Sequence, residues 1–165
     1  MILSFELITK DKLTDEHRKI FADLLEKQGK VNGILIEKAD RCKLICITKL
    51  NNKPVAIGAI KKKTLSDFNK SKANLPELAD LFDWELGYFY TSETVLGKGI
   101  ANQIAKLLTS EFKEGNLMAT TELSANPAMV KILLRNGFEL FGNPFKSGIH
   151  NDILGLYLKF GKKTA

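Results

Sequence analysis

What the chain lacks narrows its class first. No apolar run approaches the roughly 20 residues that a membrane-spanning helix needs. The N-terminus, Met1-Ile2-Leu3-Ser4-Phe5-Glu6-Leu7, has no basic start ahead of a long apolar stretch. A secretory signal is therefore not expected, and a cytoplasmic protein without membrane attachment is. Cysteine is scarce: Cys42 and Cys46 are the two present, four residues apart in an apolar run. Positions i and i+4 of a strand share a face. Too few metal-type ligands surround the pair for a zinc site, so no metal is expected and both read as reduced packing thiols. Histidine is limited to His17 and His150. Either could reach an acceptor cleft, but single histidines without a matched partner read as surface residues. No internal repeat or low-complexity linker interrupts the chain.

What is present describes an ordinary globular chain. A length of 165 residues favours one domain over 1–165. A domain of that size buries roughly 70% of its unfolded surface and needs no staples. Hydrophobic residues at 44% and charged residues at 27% argue against a disordered or fibrous chain. Lysine plus arginine is 25 and aspartate plus glutamate 19, a net charge of +6. A basic surface suits a nucleotide-bearing cofactor, a nucleic acid or an acidic peptide, and the charge alone does not choose among them. A nucleic-acid partner would need a contiguous basic stripe. Lys61-Lys62-Lys63, Lys70, Lys72, Lys159, Lys162 and Lys163 are its candidates, but no nucleic-acid-binding motif accompanies them. Lysines spread over solvated faces are the simpler reading, with Lys61 to Lys63 a solvated strand end.

Periodicity gives a mixed α/β order. Phe5 to Thr9 reads as a strand. A helix follows, capped by Asp11 or Thr14, striped by Ile20, Phe21, Leu24 and Leu25, and ended near Gly29. Residues 31 to 41 suggest a second short helix. Lys43–Leu50 and Pro54–Lys61 form a hairpin about Asn51-Asn52-Lys53. Residues 64 to 82 are an insertion with a short helix after Pro76. Trp84–Thr91 is an aromatic-rich strand and Gly97–Phe112 a helix with one apolar stripe. Strand Leu117–Glu122, helix Ala128–Arg135 capped by Asn126 and Pro127, and strands Phe138–Phe141 and Asp152–Phe160 complete the order.

The chemistry-bearing stretch runs from Trp84 through Leu96-Gly97-Lys98-Gly99-Ile100-Ala101. A strand enters a glycine-bearing loop that opens a helix. Backbone N–H groups at such a helix start have no intrahelical acceptor, and the helix dipole adds positive potential, so a pyrophosphate is the natural guest. A Walker loop is excluded because no lysine–serine pair follows Gly99. A dinucleotide fingerprint lacks its last glycine, with Asn102 in that place. A glycine turn that merely starts a helix remains the structural alternative.

One strand downstream lies Asn126-Pro127-Ala128-Met129-Val130-Lys131-Ile132-Leu133-Leu134-Arg135-Asn136-Gly137-Phe138. The two segments together resemble the GNAT superfamily of N-acetyltransferases. The first is similar to its [Q/R]-x-x-G-x-[G/A] loop, with Leu96, Gly99 and Ala101 in the three slots. The second is similar to its N-x-x-A-x-x-L-Y-x-x-x-G-F segment through Asn126, Ile132, Gly137 and Phe138. The resemblance is strongest over residues 84 to 142. It implies a GNAT-like mixed, centrally splayed sheet flanked by helices, an α+β variant of the α/β class. It implies acetyl-CoA as co-substrate, an amine acceptor, direct acetyl transfer and a possible homodimer. It places cofactor contacts at Phe89, Tyr90, Thr91, Leu96, Gly97, Lys98, Gly99, Ile100, Ala101, Asn126 and Leu133. Glu85 matches the position of the general base, with a salt-bridged glutamate as the competing reading. Two departures stand out: Leu96 replaces a polar residue of the loop, and Leu133 replaces the tyrosine that commonly protonates the leaving thiolate. A CoA-binding module with weak or absent catalysis is the alternative these departures raise.

Overall fold

The computed structural model describes residues 2–147 and 152–161. Strands β1 (Leu3–Thr9), β2 (Cys42–Leu50), β3 (Lys53–Lys62), β4 (Trp84–Thr91), β5 (Leu117–Glu122), β6 (Glu139–Lys146) and β7 (Ile153–Lys159) lie in the order β1-β2-β3-β4-β5-β7-β6 in a mixed, mostly antiparallel sheet. The chain divides into two compact units, Met1–Lys61 with Gly87–Glu111 and Lys62–Leu86 with Phe112–Ala165.

The first unit holds β1 (Leu3–Thr9), α1 (Asp15–Gln28), β2 (Cys42–Leu50), β3 (Lys53–Lys62), the distal part of β4 (Trp84–Thr91) and α2 (Ile100–Glu111). Thr14 and His17 cap α1 reciprocally. The Thr14 hydroxyl accepts from the His17 N–H at 3.2 Å, and His17 Nδ1 accepts from the Thr14 N–H at 3.1 Å. Gly29, at φ 75°, closes the helix with its N–H on the Leu25 carbonyl. The β2–β3 hairpin turns on Asn51 and Asn52 at φ 50° and 69°, a left-handed pair that asparagine tolerates better than most residues. Phe21, Leu24 and Leu25 of α1 pack on Ile8, Ile45, Ile47, Ile57 and Ala59 of the strands.

A register slip between Cys42 and Leu44 corrects the expected shared face of the cysteines. The bulge turns Cys42 into the cluster with Ile45 and Ile47, opposite to Cys46. Both are buried and free. Burial pushes the Cys42 thiol up to about 12 and the Cys46 thiol up to about 11, because an apolar surround disfavours thiolate.

The second unit holds the insertion, the start of β4, β5 (Leu117–Glu122), α3 (Pro127–Arg135), β6 (Glu139–Lys146) and β7 (Ile153–Lys159). The parallel ladder between β4 and β5 pairs Trp84 with Leu117 and Glu85 with Met118, and β7 runs antiparallel to both β5 and β6. The insertion forms two 3₁₀ turns, Leu65–Phe68 and Pro76–Leu81. Phe68, Ala73, Ala79 and Phe82 from it bury against Met118, Phe145, Leu156 and Leu158. Buried Asp67 accepts from Thr120 Oγ1 at 2.8 Å, a side-chain tie between insertion and β5.

The structure differs from the sequence reading at several element ends and in the burial of two lysines. The short helix expected within 31 to 41 is a 3₁₀ segment confined to Leu35–Arg41. Helix α2 starts at Ile100, because Gly97 and Gly99 are both left-handed, at φ 79° and 73°. Strand β6 continues to Lys146, with its irregularity between Phe141 and Phe145 absorbed at left-handed Gly142 and anchored by the Asn143 N–H on the Ala73 carbonyl at 2.9 Å. Lys61 is buried with its Nζ 5.1 Å from the Tyr88 ring centre, and Lys63 donates to the Ala79 carbonyl at 2.8 Å. Their aliphatic stems and available partners draw both out of solvent, so of the three lysines Lys62 alone is exposed. His150, Lys162 and Lys163 lie outside the described residues. No described helix is long and apolar enough to cross a membrane.

Candidate functional site

The strand that carries most of the candidate residues is broken near its middle. Tyr88 has φ 59°, a left-handed value that a bulky residue rarely adopts. The preceding Gly87 was the available signal, since a glycine inside a strand marks a bulge. The Tyr88 ring meets Phe21 of α1 edge-on, with centroids 5.7 Å apart at 75°. Tyr90 packs against the same cluster, while Phe89 lies over Gly58 beside Ile104 of α2. The Phe89 carbonyl accepts a 2.7 Å hydrogen bond from Gln28 Nε2, at the last residue of α1. Gln28 was not legible as a site residue, because nothing in its local sequence points to a partner 61 positions away. Strand β4 ends where the Ser92 N–H donates to the Val55 carbonyl at 2.8 Å.

The loop after β4 turns through a 3₁₀ segment at Glu93–Val95 and enters α2. A Cβ built on Gly97 or Gly99 would meet no atom within 4 Å. These glycines are therefore required by backbone angle, and the space before them is open. The N–H groups of the first helical turn have no intrahelical acceptor. Ile100 is buried, so its side chain serves the core and only its backbone is available. Leu96, 60% exposed, and Lys98 stand at the surface. The carboxamide oxygen of Asn102 in that turn is buried with no partner among the described residues. Open space and left-handed glycines at a helix start fit a pyrophosphate.

The remaining candidates belong to the second unit. Glu85 is buried, and its Oε1 accepts from both the Thr64 N–H at 2.9 Å and the Thr64 hydroxyl at 2.7 Å. Asn126 caps α3, its Oδ1 accepting from the Met129 N–H at 3.2 Å, with Pro127 following in the first helical position. Leu133 is 1% exposed, a core residue of α3. Thus Phe89, Tyr90, Thr91 and the 96–101 loop share one unit, and Glu85, Asn126 and Leu133 the other.

The sequence matches no protein-family model and no curated protein. Solved structures do match. The chain superimposes on a GNAT-family acetyltransferase of Streptococcus pneumoniae at TM-score 0.62 and 13% identity, covering 98% of this chain and 100% of that one. The ribosomal-protein-S18-alanine N-acetyltransferase of Escherichia coli matches at 0.67 and 9% identity, covering 98% and 97%. The yncA protein of Salmonella typhimurium, solved with acetyl-CoA as its cofactor, matches at 0.66 and 12% identity, covering 99% and 96%. The chain has the fold of the GNAT acetyltransferases.

Proposed function

We propose that the chain is an N-acetyltransferase that moves an acetyl group from acetyl-CoA to a primary amine. The observation that carries this reading is the left-handed pair Gly97 and Gly99 opening α2 with free space before them. The likeness to yncA with acetyl-CoA supports the same guest. In this reading the backbone N–H groups of Gly97 to Ala101 bind the pyrophosphate, and Lys98 adds charge. The backbone of Phe89, Tyr90 and Thr91 pairs with the pantetheine arm as an added strand would. Asn126 lines the thiol end through its backbone, because its side-chain oxygen caps α3.

Acetyl-CoA supplies a thioester whose acyl carbon the amine nitrogen attacks as the carbon–sulfur bond breaks. Glu85 accepts the amine proton, directly or through a water. The Thr64 donors hold its carboxylate in place. Leu133 has no proton to give, so the sulfur departs as thiolate. A second reading, a CoA-binding module without efficient transfer, draws on the same two facts: Glu85 is already tied to Thr64, and Leu133 is packed in the core.

Thermal unfolding with acetyl-CoA, against ATP and NAD, tests the cofactor. Ligand at 100 times its dissociation constant adds about 2.7 kcal/mol. That raises the midpoint by roughly 5–10 °C for a chain of this length. A shift specific to acetyl-CoA supports the assignment, and no shift at millimolar ligand refutes it. Release of free thiol over an amine panel then separates enzyme from binding module.

A further inference from the structure

We propose that the outer edge of β1 is the surface on which two copies of this chain pair, strand against strand, about a two-fold axis at Phe5. Strand β1 closes one side of the sheet and pairs with β2 alone. The Asn51 N–H donates to the Ile2 carbonyl at 2.8 Å. By the alternation of an antiparallel ladder, Ile2, Ser4, Glu6 and Ile8 therefore spend their backbone groups on β2. Leu3, Phe5, Leu7 and Thr9 direct theirs outward. Such a row is a template for another strand, and natural edges are usually blunted by proline, lysine or a bulge. The seven residues of β1 contain no proline or lysine, and their ladder with β2 runs without a slip. The opposite edge, β6, is blunted by Pro144 and by its irregularity between Phe141 and Phe145.

A second copy fits this edge in one register. Outward groups must meet outward groups, so an odd-numbered residue faces an odd-numbered one. Two such registers pair most of the strand. Centring on Glu6 sets Glu6 against Glu6, and like charges directly opposite destabilise a pair. Centring on Phe5 sets Phe5 against Phe5, Leu3 against Leu7, Ile2 against Ile8 and Ser4 against Glu6. Each apolar residue then meets an apolar one, and the carboxylate meets a hydroxyl that can donate to it. Side-chain alternation keeps the two sets on separate faces. Ser4, Glu6 and Ile8 share the α1 face, where Ile8 packs against the helix and Glu6 Oε2 stands 3.5 Å from His17 Nε2. Leu3, Phe5 and Leu7 share the other. Ile2, 73% exposed, and Leu3, 39% exposed, gain apolar neighbours at the end of the edge. The pairing uses the same edge of both copies, so it closes at two. It rests on β1 alone and stands whether or not the chain transfers acetyl groups.

Sedimentation of the full chain and of variants at Ser4 and Phe5 tests it. One strand pair buries less than a standard interface, so the dimer is weak. The mass should climb from the monomer's at about 1 μM towards twice that at about 1 mM. Ser4→Glu sets a carboxylate against Glu6 in both symmetric pairs, and Ser4→Lys sets an ammonium there. Ser4 is exposed, so neither change should move the monomer's thermal midpoint. At low salt the dissociation constant should rise about three- to tenfold in the first and fall by a similar factor in the second, the scale of two exposed charge pairs. Phe5→Pro removes an outward N–H and none that β2 uses, so it should leave a folded monomer at every concentration. A wild-type chain that stays monomeric over this range overturns the proposal. A dimer that survives Phe5→Pro, or whose constant moves the same way or not at all in the two Ser4 variants, overturns it too, because its interface then lies elsewhere.

Discussion

Glu85 is a strut as built, and its replacement by alanine puts a number on that. One carboxylate oxygen of Glu85, itself 8% exposed, accepts two hydrogen bonds from Thr64, at 2.9 and 2.7 Å. A hydrogen bond to a charged group is worth about 1.5–3 kcal/mol. Thr64 is half-buried, so water recovers part of the loss, and Glu85→Ala should cost about 2–4 kcal/mol. Glu85→Gln retains an acceptor oxygen and loses only charge assistance, so it should cost about 1–2 kcal/mol. Thr64→Val removes the hydroxyl and spares the N–H, and should fall near the Gln variant. Urea unfolding followed by the fluorescence of Trp84, the chain's one tryptophan and the neighbour of Glu85, measures all three. An alanine variant within about 0.5 kcal/mol of wild type would refute the strut, since that is the scale of an unconnected surface change. The base role is read separately. If Glu85 takes the amine proton, the Gln variant keeps its acetyl-CoA affinity and loses about 10²-fold or more in kcat/KM.

Three further outcomes are expected. Gly58→Ala puts a Cβ 2.6 Å from Ile104 Cγ2 and 2.9 Å from the Phe89 ring, so it should destabilise by about 1–3 kcal/mol in a melt. Gly99→Ala meets no atom within 4 Å but must hold φ 73°, costing about 1 kcal/mol, while its methyl would enter the proposed pyrophosphate cradle. Isothermal titration should therefore show acetyl-CoA affinity falling by more than the melt does. Cys42 and Cys46 should resist a thiol reagent at pH 8 until denaturant is added, because burial keeps both protonated. Their raised values also set a sign. Their stabilisation is complete below the ordinary thiol value and is lost as pH rises towards about 11 and 12, because the unfolded thiols ionise first. Urea midpoints should decline above pH 9, and the decline should shrink in a C42A/C46A variant.

Elements governed by local chemistry were legible in the sequence. Thr14 and Gly29 bound α1, Asn51-Asn52 turn the hairpin and Asn126-Pro127 open α3, because a cap or turn is decided within four or five residues. Features decided across the chain were not. The Cys42 bulge reverses a face without a glycine to announce it. The burial of Lys61 depends on Tyr88, 27 positions later, and the continuation of β6 past Gly142 depends on a carbonyl at Ala73. The candidate site divides along the same line. The loop of Gly97 and Gly99 is local and was visible, whereas the contacts that hold β4 in place, Gln28 to Phe89 and Thr64 to Glu85, join residues 61 and 21 positions apart.

The left-handed turn at Tyr88 ties these contacts to one another. A single bulky residue in that conformation costs about 1–3 kcal/mol, and it persists only where its surroundings over-determine it. Here the ring is gripped on two sides, edge-on by Phe21 and by the ammonium of buried Lys61. Each contact is worth about 0.5–2 kcal/mol, enough together to offset the strain. A glycine at 88 would adopt the same angle without cost and would lose both grips, so the tyrosine is a clamp rather than a tolerated accident. The clamp acts one residue before Phe89, whose carbonyl is taken by Gln28 at the end of the same helix that supplies Phe21. Helix α1 therefore fixes β4 at two successive residues, one through a ring and one through the backbone. A strand meant only to fill a sheet needs neither. If the β4 backbone receives the pantetheine arm, as proposed, its geometry must be set beforehand, and these contacts would set it.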